Sequence, residues 1–281
     1  MGNVDPYADY LLIVYPEGRS SFAATQAFSA YAVNFDPVLP PDHLQDVAAP
    51  AVRLSRSGLA QVQRISKKEG FLHIGIVDWR PPAPDADRIG RLELESGAPF
   101  LETAQMTYVA ACMADKTKLR FIAQFDRDIS EVMPYLNARI RGAVYSPRIP
   151  TLGFPLGQRM VTLYGTRLAV GKTDEIVDTW RTMAWVKDLI NETWMKRASI
   201  EPCTDERERP QPLEIYKRLP RTNCRECGEP TCMAFAARLS RTEADLTQCP
   251  HMYREEYEGM RMALLSLFPT IQTEGEFEPS R

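Results

Sequence analysis

Four cysteines in one short stretch constrain this chain more than any other feature. They stand in Arg221–Pro250, RTNCRECGEPTCMAFAARLSRTEADLTQCP, at C-x2-C-x4-C-x16-C: Cys224, Cys227, Cys232 and Cys249. Cys224 and Cys227 fall on one turn, close enough to hold neighbouring corners of a single metal centre. Gly228 and Pro230 let the chain fold back, so that Cys232 supplies a third thiolate. From Thr231 the run MAFAARL reads as a helix with Met233, Ala236 and Ala237 along one face. A return loop brings in Cys249, and Pro250 stops any further helix. Four thiolates fill the ligand set and leave no open position, as in an iron–sulfur cubane or a structural zinc site.

The spacing bears on which metal. A four-cysteine zinc ribbon pairs two C-x2-C knuckles, and only one is present here. The run resembles the small 4Fe–4S domain of the corrinoid iron–sulfur protein large subunit and of the Rnf-type electron-transport B subunit. Those share NCxxCGxxTCxxFAxxL, a spacer and then CP. The matching residues are Asn223, Cys224, Cys227, Gly228, Thr231, Cys232, Phe235, Ala236, Leu239, Cys249 and Pro250. Thr242 departs from the pattern, standing where the family has a helix-ending glycine. The resemblance implies one 4Fe–4S cluster on Cys224, Cys227, Cys232 and Cys249, with a structural zinc domain as the alternative.

A chain of 281 residues has length for about two domains, and 44% hydrophobic with 25% charged residues is ordinary for a globular protein. No apolar run is long enough to cross a bilayer. The start, MGNVDPYADY, has neither the basic residues nor the apolar stretch of a secretion signal. Thiolates used for iron argue for a reducing compartment, so the expected location is cytoplasmic. A net charge of −3 implies no bulk attraction to nucleic acid or membrane. The two cysteines outside the motif read as a small buried hydrophobe, Cys112, and an exposed linker residue, Cys203.

Taken in order, the chain predicts an α+β protein. Tyr10–Tyr15 reads as a buried strand and Ser21–Val33 as a helix offering Phe22, Ala23, Phe28 and Tyr31 to a core. The proline-rich DPVLPPDH predicts a loop without regular structure. Gly58–Glu69 predicts a helix ending at Gly70, and Phe71–Asp78 a strand in which His73 packs into the core. Lys118–Phe125 is a strand with Leu119, Phe121 and Ala123 on one face. Asp128 to Glu131 has capping-box spacing for a short helix through Leu136, limited by Pro134. Strand candidates follow at Gly142–Tyr145, Thr151–Pro155, Met160–Tyr164 and Arg167–Val170, the last two joined by a turn at Gly165–Thr166. Thr173 then caps a long helix to about Arg197, with Ile176, Trp180, Met183, Ile190 and Trp194 as its apolar stripe. A terminal helix is expected over Tyr253–Leu267, then an acidic tail, Thr273–Arg281.

The order over Lys118–Arg197 is similar to one repeat of the TATA-binding protein fold, on Ala143, Tyr145, Pro147, Gly171, Lys172, Thr173 and Glu175. The resemblance implies a curved antiparallel sheet backed by the last helix. The expected division is an α/β region of unknown role (1–100), a TATA-binding-like domain (101–198), a linker (199–213) and an iron–sulfur domain (214–281). No nucleotide fingerprint, P-loop, triad or HExxH helix points to an enzyme. A closed four-cysteine cluster does no substrate chemistry at iron, so the chain reads as an electron-transfer or redox accessory to a larger metalloenzyme or corrinoid protein. Arg221, Arg225, Arg238 and Arg241 offer a landing patch for an acidic redox partner. The alternative is an iron–sulfur regulator that binds nucleic acid or a partner through the TATA-binding-like sheet.

Overall fold

A computed structural model describes residues 9–82, 98–140, 143–206, 210–241 and 244–267. Gly142, Thr242, the acidic tail and most of the Arg80–Arg88 loop lie outside them. The chain opens with β1 (Tyr10–Val14), α1 (Gly18–Ala30), β2 (Asp36–Val38), β3 (Ala51–Ser55), α2 (Leu59–Glu69) and β4 (Gly75–Asp78). The middle holds β5 (Ala104–Ala111), β6 (Leu119–Phe125), α3 (Met133–Arg139), β7 (Val144–Ser146) and β8 (Thr151–Leu156). Next come β9 (Arg159–Tyr164), β10 (Arg167–Thr173) and α4 (Ile176–Met195). The last elements are α5 (Pro212–Lys217), α6 (Cys232–Ser240) and α7 (Glu258–Leu265). Two compact units result, Met1–Val132 with Arg159–Ser199, and Met133–Gln158 with Ile200–Arg281. The stretch Lys118–Arg197 contributes to both.

In the first unit an antiparallel sheet runs β2-β3-β1-β4. Ile13, Tyr15, Val52 and Leu54 form its core with Ala24 and Phe28 of α1 and Val62 and Ile65 of α2. α1 begins three residues earlier than expected and buries Ser21, Ala24 and Phe28, leaving Phe22 67% exposed. The spacing 21, 24, 28 is one helical face, and Phe22 lies off it. The proline-rich segment is not wholly irregular. Asp36–Val38 pairs with β3 at the sheet edge, where Pro37 has no ladder hydrogen bond to lose. β3, between β1 and β2, was not legible as a strand. Of Phe71–Asp78 only Gly75–Asp78 is extended, and His73 is exposed rather than packed. Gly70, at φ 76°, ends α2 as expected.

The same unit carries β5-β6-β10-β9, with antiparallel registers throughout, including Val170 opposite Val161. Leu119, Phe121, Ala123, Leu168, Val170, Val161 and Leu163 are buried, and α4 contacts β5, β6 and β10. Ile176, Trp180, Met183 and Ile190 are buried as the stripe predicts; Trp194 is half-buried against Phe100 at 4.6 Å between ring centroids. Asn191 Nδ2 donates to Leu101 O at 3.0 Å while its Oδ1 accepts from Leu101 N–H at 2.7 Å. The two sheets meet where Val109 N–H donates to Ile74 O at 3.1 Å. A Cβ on Gly75 would lie 2.0 Å from Val109 O, so only glycine fits there.

Two caps differ from expectation. Asp128 Oδ1 accepts from Ser130 N–H at 2.7 Å, and α3 starts only at Met133, so Pro134 lies in its first turn rather than limiting it. Thr173 Oγ1 donates to Leu119 O, and Glu175 caps α4 instead, accepting from Val177 N–H at 2.6 Å and Asp178 N–H at 3.0 Å. Beside it Arg159 donates to the buried Asp178 carboxylate, Nε lying 2.9 Å from Oδ2. In the second unit β7 and β8 pair antiparallel, and α7 is shorter than expected because 3-10 turns take Pro250–Tyr253 and Glu255–Tyr257.

Trp180 is fully buried, so Trp180→Ala should cost about 3–5 kcal/mol in equilibrium denaturation. Burial pushes Glu175 from 4.5 up to about 7, aided by Asp178; the N–H groups of Val177 and Asp178 and the charge of Arg181 pull the other way. The folded state therefore holds this proton more tightly than the unfolded chain. The stabilisation is complete below pH 4.5 and is lost as pH rises to about 7, on the order of 3 kcal/mol. Glu175→Gln, which keeps an acceptor oxygen, should flatten that segment of a stability–pH profile.

Candidate metal centre

The second unit packs around a small apolar cluster. Ile215 of α5, Leu219, Phe235, Ala236 and Leu239 of α6, Met252 and Leu264 share it with Cys232 and Cys249, and Cys227 packs against it. The buried face of α6 is Cys232, Phe235, Ala236 and Leu239 rather than the expected Met233, Ala236 and Ala237; Met233 is 37% exposed. Thr231 starts the helix, its hydroxyl accepting from Ala234 N–H at 3.1 Å. Cys232 is thus the first helical residue, with its sulfur turned into the cluster.

The loop ahead of α6 has an unusual backbone. Arg221, Asn223 and Arg225 have φ of 61°, 51° and 65°, and Gly228 has φ 83°. Left-handed residues interleaved with others turn successive N–H groups to one side, a concavity that suits anions such as thiolate clusters. One such donor reaches its target: Asn223 N–H points to Cys232 Sγ at 3.4 Å. The Asn223 side chain returns the bond, its Oδ1 accepting from Cys232 N–H at 2.8 Å. Asparagine tolerates the left-handed conformation and supplies that acceptor. Gly228 meets the φ requirement alone, since a Cβ there would touch nothing.

The fold draws the four motif cysteines together. All are free thiols; Cys224 and Cys227 are half-buried, Cys232 and Cys249 buried. Burial pushes the Cys249 thiol up, and Cys227, Cys224 and Cys232 are near enough to push it the same way electrostatically. Pro250 does not end helical structure but opens the 3-10 turn Pro250–Tyr253 that holds His251 and Met252 inside. Two groups beyond the motif stand beside the cysteines. A His251 ring nitrogen, a Glu226 carboxylate oxygen and Cys224 Sγ lie within 4.8 Å of one another. His251 Nε2 is 3.2 Å from Glu226 Oε1, and its buried Nδ1 has no hydrogen-bond partner among the described residues. Sequence reasoning missed both; the only signals were their places inside C-x2-C and just after Cys-Pro.

The remaining expectations sort differently. Arg221 and Arg225 are exposed, but Arg238 is ion-paired with Glu229. Cys203 is tied by its backbone to α3, donating to Pro134 O at 3.0 Å and accepting from Asn137 Nδ2 at 2.9 Å. Cys112 is buried as expected. Burial alone would raise its pKa, yet N–H donors from Asp115, Ala114 and Lys172 lower it overall. No helix among the described residues is long and apolar enough to cross a membrane.

Residues 219–251 match the family model described as "Putative Fe-S cluster". Over 63 residues, 22% of this chain, the sequence is 50% identical to acetyl-CoA decarbonylase/synthase complex subunit gamma 1 of Methanosarcina thermophila. Over 51 residues, 18% of the chain, it is 58% identical to the corrinoid/iron-sulfur protein large subunit of Moorella thermoacetica. The chain spans only 14% and 11% of those relatives' lengths. The likeness is therefore to a short stretch of each relative.

Asn223→Ala removes the acceptor for Cys232 N–H and places alanine at a left-handed φ. Metal-free protein should lose about 1–2 kcal/mol in urea unfolding, and Asn223→Asp should recover most of it.

Proposed function

We propose that Cys224, Cys227, Cys232 and Cys249 hold one 4Fe–4S cluster, and that the protein is an electron-transfer accessory to a larger metalloenzyme or corrinoid protein. The observation that carries this reading is the convergence of four free cysteines, three of them on one apolar cluster, within the stretch that matches an iron–sulfur family. The residues present fit such a group. Four soft thiolates suit iron and sulfide, the left-handed loop turns Asn223 N–H to Cys232 Sγ, and the buried His251 Nδ1 has no hydrogen-bond partner among the described residues.

Such a cluster supplies reversible one-electron storage. The chain's own residues do the rest. Asn223 N–H stabilises charge on Cys232 sulfur, and the apolar side chains of α5 and α6 keep water from the buried sulfurs. Arg221 and Arg225, exposed beside Cys224, favour the approach of an acidic surface and ease the extra negative charge of reduction. The relatives' names describe subunits of acetyl-CoA decarbonylase/synthase and a corrinoid/iron-sulfur protein, the class of partner this reading assigns. The expected setting is the cytoplasm.

Anaerobically purified protein should be brown and carry about four irons per chain. It should be reduced by low-potential donors, and Cys227→Ser should abolish iron retention. Stoichiometric zinc without visible absorption would overturn the cluster, and a cluster that low-potential donors cannot reduce would overturn the electron-transfer role.

A further inference from the structure

The two ends of the ligand set lie far apart in sequence. Cys224 and Cys227 belong to the loop before α6, and Cys249 follows the segment after it. One contact between the two sides chains residues that are not cysteines: His251 Nε2 with Glu226 Oε1, at 3.2 Å and 25 residues apart. Glu226 lies between Cys224 and Cys227, and His251 stands two residues after Cys249. The ring nitrogen, the carboxylate oxygen and Cys224 Sγ sit within 4.8 Å of one another.

The pair has the features of a built contact. His251 is held inside by the 3-10 turn at Pro250–Tyr253, at 8% exposure, and the Tyr257 ring meets its imidazole edge to face at 6.4 Å. Glu226 remains half-exposed on its side of the contact. Cys232 is secured separately, through the two hydrogen bonds with Asn223. Asn223 thus ties the cysteine loop to α6, and Glu226 ties the same loop to the segment that carries Cys249.

We propose that Glu226 and His251 form a clasp that positions Cys224 against Cys249 and governs how firmly the cluster is retained. The clasp rests on the cluster reading above and adds two positioning residues to it. It also places a carboxylate beside a ligand sulfur. That negative charge opposes addition of an electron, so the clasp holds the reduction potential below the value the cysteines alone would give. An iron–sulfur centre closed by this contact gives up iron through opening of the Cys249 side. Breaking the contact should therefore appear first in the rate of iron loss.

The test uses the full chain loaded anaerobically with ferrous iron and sulfide. Iron release to a chelator, the reduction potential and the thermal midpoint of the unloaded protein are measured for the parent and its variants. Glu226→Ala changes a half-exposed side chain, so the unloaded protein should stay folded with only a small fall in midpoint. It should release iron about fivefold faster, the factor expected for one hydrogen bond. His251→Ala should match it, and the double variant should be no faster than either single one, because both remove the same contact. Glu226→Gln keeps an acceptor for the imidazole while removing the charge. It should retain iron like the parent and shift the potential upward. Unchanged release in both alanine variants, or effects that multiply in the double variant, overturns the clasp while leaving the cluster intact. A parent that takes up no iron and sulfide overturns the cluster reading, and the clasp falls with it.

Discussion

The second unit depends on how one loop is held. Residues 221–228 adopt a left-handed backbone at four positions, which would be unfavourable for the free chain at the three that are not glycine. The loop is retained because Asn223 exchanges two hydrogen bonds with Cys232, at the start of a helix already packed by Phe235, Ala236 and Leu239. Anchoring passes from apolar packing to the helix, from the helix to the asparagine, and from there to the first two cysteines. The sulfurs are thus positioned by groups that bind no metal.

This arrangement has a cost in the absence of metal. Cys232 and Cys249 lie among aliphatic and aromatic side chains, where a thiolate is poorly solvated, and the neighbouring cysteines make ionisation of Cys249 harder still. A bound positive centre reverses that balance, because it takes the charge of several thiolates at once. On the cluster reading, metal uptake would release protons as the thiols become ligands and would favour the folded unit.

The cysteine motif was legible because each cysteine is a chemical exception in its stretch. Glu226 and His251 were not, since a glutamate in a polar loop and a histidine after a proline are ordinary until a contact 25 residues long joins them. The strands from Lys118 onward were legible through alternation and their turns. β3 was hidden because Ala51–Ser55 is short and follows Pro50, and Pro37 concealed an edge strand by looking like a breaker. Cap errors share one cause. Thr173 and Asp128 have the right residue types, but the sheet recruited Thr173 and Asp128 turned its carboxylate to Ser130. On α1 the bulk of Phe22 and Tyr31 masked the 21, 24, 28 face, whereas on α6 Met233, Ala236 and Ala237 also share a helical spacing and the neighbouring face turns inward.

The approach of Gly75 to Val109 shapes how the first unit can be divided. β5 is an outer strand of its sheet, and Ile74 O occupies the Val109 N–H that would otherwise face outward. Removing the N-terminal sheet would bare that donor and uncover Val109, leaving an open strand edge that invites pairing with other chains. The N-terminal sheet thus guards that edge of β5. Shuffling the second sheet into another protein would succeed only if the guard travelled with it.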